Sequence, residues 1–269
     1  MSASPSRPLA DMPRDVRRAI RVVLTDIDDT LTTDGKLGAD AYRALGRLRA
    51  AGMIVVPVTG RPAGWCDHIA RMWPVDAVVG ENGAFYMRFD ATRRKLLRRF
   101  LAADGERERM RTRLAAIGAR IVREVPGSAL ASDQHYRETD LAIDYCEDVP
   151  PLSRTEVDRI VSLMQAEGMT AKVSSIHVNG WFGDYDKLAT TRLLMREAFA
   201  LDLDAARDTF AFAGDSPNDA PMFAFFPNAV GVANVRDFLD RIATPPAWIT
   251  VQEAGAGFAE LADALLSAR

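Results

Sequence analysis

The sequence predicts an α/β protein: a Rossmann-like parallel sheet with helices on both faces, plus an inserted α+β module. Three observations lead there. Short, β-branched apolar runs alternate with helical patterns between Arg21 and Gly80. That alternation breaks after Met87 and resumes at Asp208. Polar clusters rich in Asp, Thr and Gly follow the apolar runs, where an open parallel sheet keeps its ligand site.

Taken in order, "RVVLTDI" (Arg21–Ile27) has the pattern of a strand buried on both faces. "LGADAYRALGRLRAAG" has helical spacing and stops at Gly52, a natural C-cap. "MIVVPVTG" is a second buried strand, and Pro62 suits the first turn of a helix running to about Met72. "VDAVVG" is a third strand. In the insert, "KLLRRF", "ARIVREV", "TDLAIDYCED" and "AKVSSIHVNGWF" read as strands. A helix from Ser153 to about Ala166 lies between the last two. Ser153 and Glu156 form its capping box, Val157, Ile160, Val161 and Met164 its apolar face, and Gly168 its stop. "DYDKLATTRLLMREAF" reads as a helix capped by Asp184 or Asp186. "DTFAFAG", "NAVGVA" and "WITV" restore the buried-strand pattern, and a last helix runs from about Gly257 to Leu266. The expected division is a flexible tail at 1–17, a split core at 18–88 and 184–269, and an insert at 89–183.

Bulk numbers set limits. A chain of 269 residues with 48% apolar content supports one substantial domain, or a core with a smaller partner. A net charge of −3 argues against a general binder of nucleic acid or membrane surfaces. Cys66 and Cys146 have no metal or redox spacing and read as reduced thiols. No segment has the length and apolarity of a membrane span, and "MSASPSRPLADMPRD" lacks the apolar stretch of a signal peptide. The expectation is a soluble, cytoplasmic protein.

The acidic strand ends carry the chemistry. Asp26, Asp28 and Asp29 follow the first strand, and Thr59-Gly60-Arg61 the second. "ENG" (Glu81–Gly83) follows the third, and "GDSPND" (Gly214–Asp219) follows "FAFA". Carboxylates gathered at one sheet edge repel each other and raise each other's pKa. A divalent cation removes that penalty, and Mg²⁺ prefers oxygen ligands, so Asp26, Asp215 and Asp219 are candidate metal ligands. Helix capping and turn formation explain a single such cluster, but less readily several in series. Lys187 opens a helix, where its charge opposes the dipole, and a broken local rule at such a point suggests function.

These residues resemble the haloacid dehalogenase superfamily of phosphohydrolases. "DIDDT", "VTG", a lysine opening a later helix and "GDSPND" occur in that family's order, and the match covers the whole core. An insert after the second motif, preceded by "ENGAFY", resembles the large-cap subclass IIB. That subclass includes sucrose-, trehalose- and mannosylglycerate-phosphate phosphatases and Cof-like sugar phosphatases. The resemblance implies a Mg²⁺-dependent phosphatase. Asp26 would be the nucleophile and Asp28 the general acid/base, its backbone carbonyl also on the metal. Thr59, Gly60, Lys187 and Asn218 would hold the phosphoryl group, and Asp215 and Asp219 the metal site. Phosphoryl transfer calls for this equipment, because catalysis must position the ester and neutralise its oxygens.

A phosphoacceptor receiver protein shares the acidic strand end, Thr and Lys, but is much shorter and needs no large insert. A phosphosugar mutase of the same superfamily would pass the phosphoryl group to sugar instead of water. A non-catalytic binder would not require the complete motif set, and the dehalogenase branch lacks the residue matching Asp28. Substrate recognition is expected in the insert, from Arg137, Asp144, His177, Asn179 and Trp181, with Asn82 from the "ENG" turn. Asn82-Gly83 and Asn179-Gly180 are also turn signals.

Overall fold

The computed structural model describes residues 6–269. Its core is a six-stranded sheet in the order Arg7–Pro8, Trp248–Ile249, Ala229–Gly231, Phe210–Gly214, Val22–Thr25, Ile54–Pro57. Every pairing in it is parallel. Alternation within the central strands shows why they are apolar throughout. Val23, Val55, Ala211 and Ala213 pack into one core layer, and Val22, Leu24, Val56, Phe210 and Phe212 into the other. The first layer is closed by Leu45 and Leu48, Cys66 and Ile69, and Phe258, Leu261 and Leu265. These come from helices Ala39–Ala50, Ala63–Met72 and Ala254–Leu266. The second is closed by Leu194 and Met195 of helix Lys187–Phe199, with Met222 and Phe223 of helix Ala220–Phe225.

The helix signals act as the sequence implies. Gly52 has φ +80°, and the N–H groups of Met53 and Gly52 donate to the carbonyls of Leu48 and Arg49, which closes the helix end. Gly168 repeats the device with Met169 and Met164. Ser153 and Glu156 form the expected capping box.

Residues 102–183 build a second, smaller layered unit. Its antiparallel sheet runs Thr170–Val173, His177–Trp181, Asp140–Asp144, Ala129–Leu130. Helices Asp104–Glu124 and Arg154–Ala166 cover one face through Leu114, Ile117, Ile121, Val157, Ile160 and Met164 against Leu141, Ile143 and Val178. Period-two alternation sends Asp140, Asp144, His177, Asn179 and Trp181 to the opposite face. All five are buried there.

Three expectations change. "ARIVREV" is the end of helix Asp104–Glu124 and not a strand. Its β-branched pair belongs to a helical stripe in which Gly118 lets the helix close on Leu130 and Leu141. "KLLRRF" is a strand, Lys95–Phe100, but pairs with Phe85–Asp90 and through it with Val78–Gly80, beside the core sheet. Residues 6–17 are ordered. Arg7–Pro8 joins the sheet edge, Leu9 and Met12 are buried, and a helix spans Arg14–Ala19. Residues 1–5 of the expected tail lie outside the described residues.

Candidate active site

Register brings the acidic strand ends together. Strands Val22–Thr25 and Phe210–Gly214 are central neighbours, with Thr25 opposite Ala213, and the Asp26 N–H donates to the Ala213 carbonyl at 2.9 Å. Asp26 and Asp215 therefore emerge side by side. Asp26 Oδ1 accepts from the Ile27 N–H at 2.8 Å, and Oδ2 lies 2.8 Å from Lys187 Nζ. Lys187 Nζ also donates to Asp219 Oδ1 at 2.7 Å. Asp219 Oδ2 accepts from the backbone N–H of Asp215 and of Ser216 at 3.1 and 3.4 Å. Asp215 Oδ1 accepts from the Thr30 hydroxyl at 3.0 Å, while its Oδ2 accepts no hydrogen bond.

Lys187 reaches this point by tertiary packing. The Asp186 side chain caps its helix by accepting from the Ala189 N–H at 2.7 Å. The helix start rests on the "ENG" turn, where Gly83 has φ +110° and a Cβ would stand 2.1 Å from the Asp186 carbonyl oxygen. Thr190 Oγ1 donates to the Gly83 carbonyl. The lysine that opposes its helix dipole is thus 2% exposed and paired with two carboxylates.

The electrostatics show a surplus of negative charge. Burial pushes the Asp26 carboxyl up to about 7, with Lys187 opposing and Asp219 adding to the rise. Burial and the Asp219 and Asp26 charges lift Asp215 well above the usual carboxylate range. Burial works against the Lys187 ammonium, but Asp219 and Asp26 outweigh it and hold its pKa above the ordinary value. Ligand oxygens of Asp26, Asp215 and Asp219 lie within 4.8 Å of one another. Three buried carboxylates facing one ammonium, with an unpartnered oxygen on Asp215, fit a hard divalent cation. The Asp28 carboxylate stands outside this group.

Thr59 sits just past strand Ile54–Pro57, tied by its N–H to the Val79 carbonyl at 2.9 Å, and its hydroxyl oxygen accepts from the Arg61 N–H at 3.0 Å. Gly60 passes so close to Asn82 that a Cβ would lie 3.0 Å from Asn82 Nδ2, a buried donor with no partner. Asn218 is buried and accepts from the Ser216 hydroxyl at 2.9 Å. Asp29 adopts φ 51° and turns the chain.

Asp28 is clamped. Arg61 Nε lies 2.9 and 3.1 Å from its two oxygens, and Nη2 lies 2.8 Å from Oδ1. The same guanidinium reaches Asp133 at 3.2 Å and Glu147 at 2.6 Å in the second unit. His177 Nε2 lies 2.9 Å from Glu147. Burial raises the Asp28 pKa, and Arg61 opposes the rise.

The expected recognition residues separate into two groups. His177, Asn179 and Arg137 lie over the core. Arg137 donates to the Gly60 carbonyl at 2.8 Å and pairs with Asp133 and Asp140, and Asn179 donates to Asp140 at 3.1 Å. Asp144 and Trp181 hold structure instead. Asp144 accepts from the N–H groups of Cys146, Glu147 and Asp148 at 2.9, 2.8 and 2.8 Å. Trp181 is 1% exposed, donates to the Tyr185 carbonyl at 3.2 Å and stacks on Tyr185.

Sequence reading missed four groups: Arg61, Asp133, Glu147 and Glu81. Arg61 was visible as the third member of Thr59-Gly60-Arg61. Glu81 opens "ENG" and spans both units. Its carboxylate accepts from the Ala63 N–H at 2.9 Å, the Glu138 N–H at 2.9 Å, the Thr139 N–H at 2.7 Å and the Thr139 hydroxyl. Asp133 and Glu147 carry no local signal.

Residues 23–104 match the family model described as haloacid dehalogenase-like hydrolase. No curated protein matches the chain. Among solved structures, the trehalose-6-phosphate phosphatase C-terminal domain of C. albicans superposes with a TM-score of 0.71. It shows 14% identity, and 99% of each chain is covered. A protein of Thermoplasma acidophilum gives 0.68 at 19% identity, over 92% of this chain and 98% of its own. The sucrose-phosphatase of Synechocystis sp. PCC6803, solved with sucrose and phosphate, gives 0.62 at 15% identity, over 92% and 98%. At such identities these likenesses establish the fold, and the matched segment, residues 23–104, is similar to the haloacid dehalogenase-like hydrolases.

Proposed function

We propose that this protein is a Mg²⁺-dependent phosphatase that hydrolyses a small phosphate monoester, a sugar phosphate, through an aspartyl-phosphate intermediate. One observation carries the reading: a buried Asp26 at the end of the central strand, paired with Lys187 and within reach of Asp215 and Asp219. The split core is taken as 18–88 and 184–269 and the cap as 89–183, of which residues 89–100 continue the Phe85–Phe100 hairpin beside the core sheet and 102–183 form the layered cap itself.

Each residue has a task. Asp26 Oδ2 attacks phosphorus in line, forming the new P–O bond as the ester P–O bond breaks. Lys187, the Thr59 hydroxyl and the backbone at Gly60 hold the phosphoryl oxygens. Asp28 gives a proton to the departing alcohol oxygen, then takes one from the water that cleaves the acyl phosphate. Asp26, Asp215 and Asp219 would hold Mg²⁺, with the Asp28 carbonyl beside them, and the ion would supply charge neutralisation of the phosphoryl group. The cap excludes water and reads the alcohol. The sugar assignment is supported by two structural neighbours whose names specify sucrose and trehalose 6-phosphate phosphatases.

The test is a panel of phosphate esters with purified protein and Mg²⁺. Turnover is expected on sugar phosphates and on p-nitrophenyl phosphate, and EDTA followed by dialysis abolishes it. Asp26→Asn is expected to remove turnover while retaining the fold by circular dichroism. Wild-type rates in that variant would exclude the covalent route, and full activity without metal would exclude Mg²⁺.

A further inference from the structure

The cations around the leaving-group position are already committed. Arg61 is shared by Asp28, Asp133 and Glu147, and Arg137 by Asp133 and Asp140, so two guanidiniums answer four carboxylates, with the His177 imidazole also 2.9 Å from Glu147. On the catalytic floor, Lys187 is taken by Asp26 and Asp219. Depth sorts these charges. The Arg61 side chain is 4% exposed, whereas those of Asp28 and Glu147 are 15% and 24% exposed. A molecule approaching Asp28 therefore meets carboxylate before guanidinium. The adjoining opening has the same sign. A cavity of about 590 Å³ lies between Ser175 of the cap and the core, and its ionisable lining is Asp29, Asp34, Asp215, Asp237 and Glu253.

We propose that this site selects by charge: it turns away phosphate esters whose leaving group carries an acid and takes esters of uncharged or amino-bearing polyols, with Asp133 and Glu147 setting the selection. The inference rests on the phosphatase reading and on Asp28 serving the leaving oxygen. The physical basis is the cost of bringing a further carboxylate beside groups whose counter-charges are used up, in a partly dry slot. A hydroxyl pays no such cost and finds acceptors in Glu147 and Asp28. An ammonium gains from the same field.

Matched pairs test it, differing only in a terminal carboxylate against a hydroxymethyl group: 3-phosphoglycerate with glycerol 3-phosphate, and 6-phosphogluconate with sorbitol 6-phosphate. Each is measured as kcat/KM, and by competition against p-nitrophenyl phosphate turnover where its own turnover is slow. The acid member of each pair is expected to be at least about tenfold poorer. Glucosamine 6-phosphate is expected to equal or exceed glucose 6-phosphate. Glu147→Gln and Asp133→Asn are expected to narrow the acid gap by about threefold or more while p-nitrophenyl phosphate is still hydrolysed. Equal or better use of the acid esters would overturn the proposal, as would a gap that neither variant changes. Absence of turnover on every ester would remove the phosphatase reading itself, and this inference with it.

Discussion

Asp28 differs from Asp26 in what holds it. Lys187 faces Asp26, whereas Asp28 is gripped by the Arg61 guanidinium, which also holds Asp133 and Glu147 of the cap. In the proposed acid/base role, that grip orients the Asp28 oxygens before substrate arrives. Asp28→Asn is therefore expected to slow phosphorylation by an alkyl ester by about 100-fold or more. An aryl ester, whose leaving group needs little protonation, should lose much less. Single-turnover rates on both substrates decide this, and equal losses would take Asp28 out of the acid role. Asp144 and Trp181 show the converse. They sit on the cap face turned toward the core, yet backbone groups occupy their polar atoms.

At the scale of elements, turns do as much as strands. The "ENG" turn carries Glu81 and Asn82 at φ 42° and 53°, then Gly83, and the helix of Lys187 begins against it. Gly83→Ala adds a Cβ 2.1 Å from the Asp186 carbonyl oxygen, at a φ of +110°. That helix start must then move, and Lys187 with it. The expected result is lost activity together with a lowered melting temperature, and unchanged kcat would refute the coupling. The capping box of helix Arg154–Ala166 is the milder case. Ser153→Ala should cost about 1 kcal/mol. Chemical denaturation should show this in the cap transition, with kcat on p-nitrophenyl phosphate retained.

For the whole molecule, two units share one site, and their seam is ionic. Burial by itself would raise the Glu147 pKa. Hydrogen bonds from His177 and Arg61, together with the Arg61 charge, outweigh it and lower the pKa from 4.5 to about 2. A depressed carboxyl contributes stability that is present above its unfolded value and lost as pH falls through the folded one. Glu147 should therefore strengthen the seam above about pH 4.5 and release it toward pH 2. Wild type and Glu147→Gln should differ in melting temperature at pH 6 and converge as pH drops below 4. A difference independent of pH would show that the ion pairs contribute nothing to the seam.

The sequence by itself determined the parallel core, its helices and the order of the acidic strand ends. Those features depend on local pattern: two-sided burial makes apolar strands, and Gly52 and Gly168 stop helices through their own φ. Lys187 stood out because it broke a local rule. Tertiary structure alone decided the rest. "ARIVREV" became helix because its apolar stripe had a sheet to cover, and Arg7–Pro8 became strand because Trp248–Ile249 offered an open edge. Arg61, Asp133 and Glu147 meet across 86 residues of chain. No periodicity encodes such a meeting. A charged loop residue looks solvated until folding buries it, and only then does desolvation oblige it to find a partner.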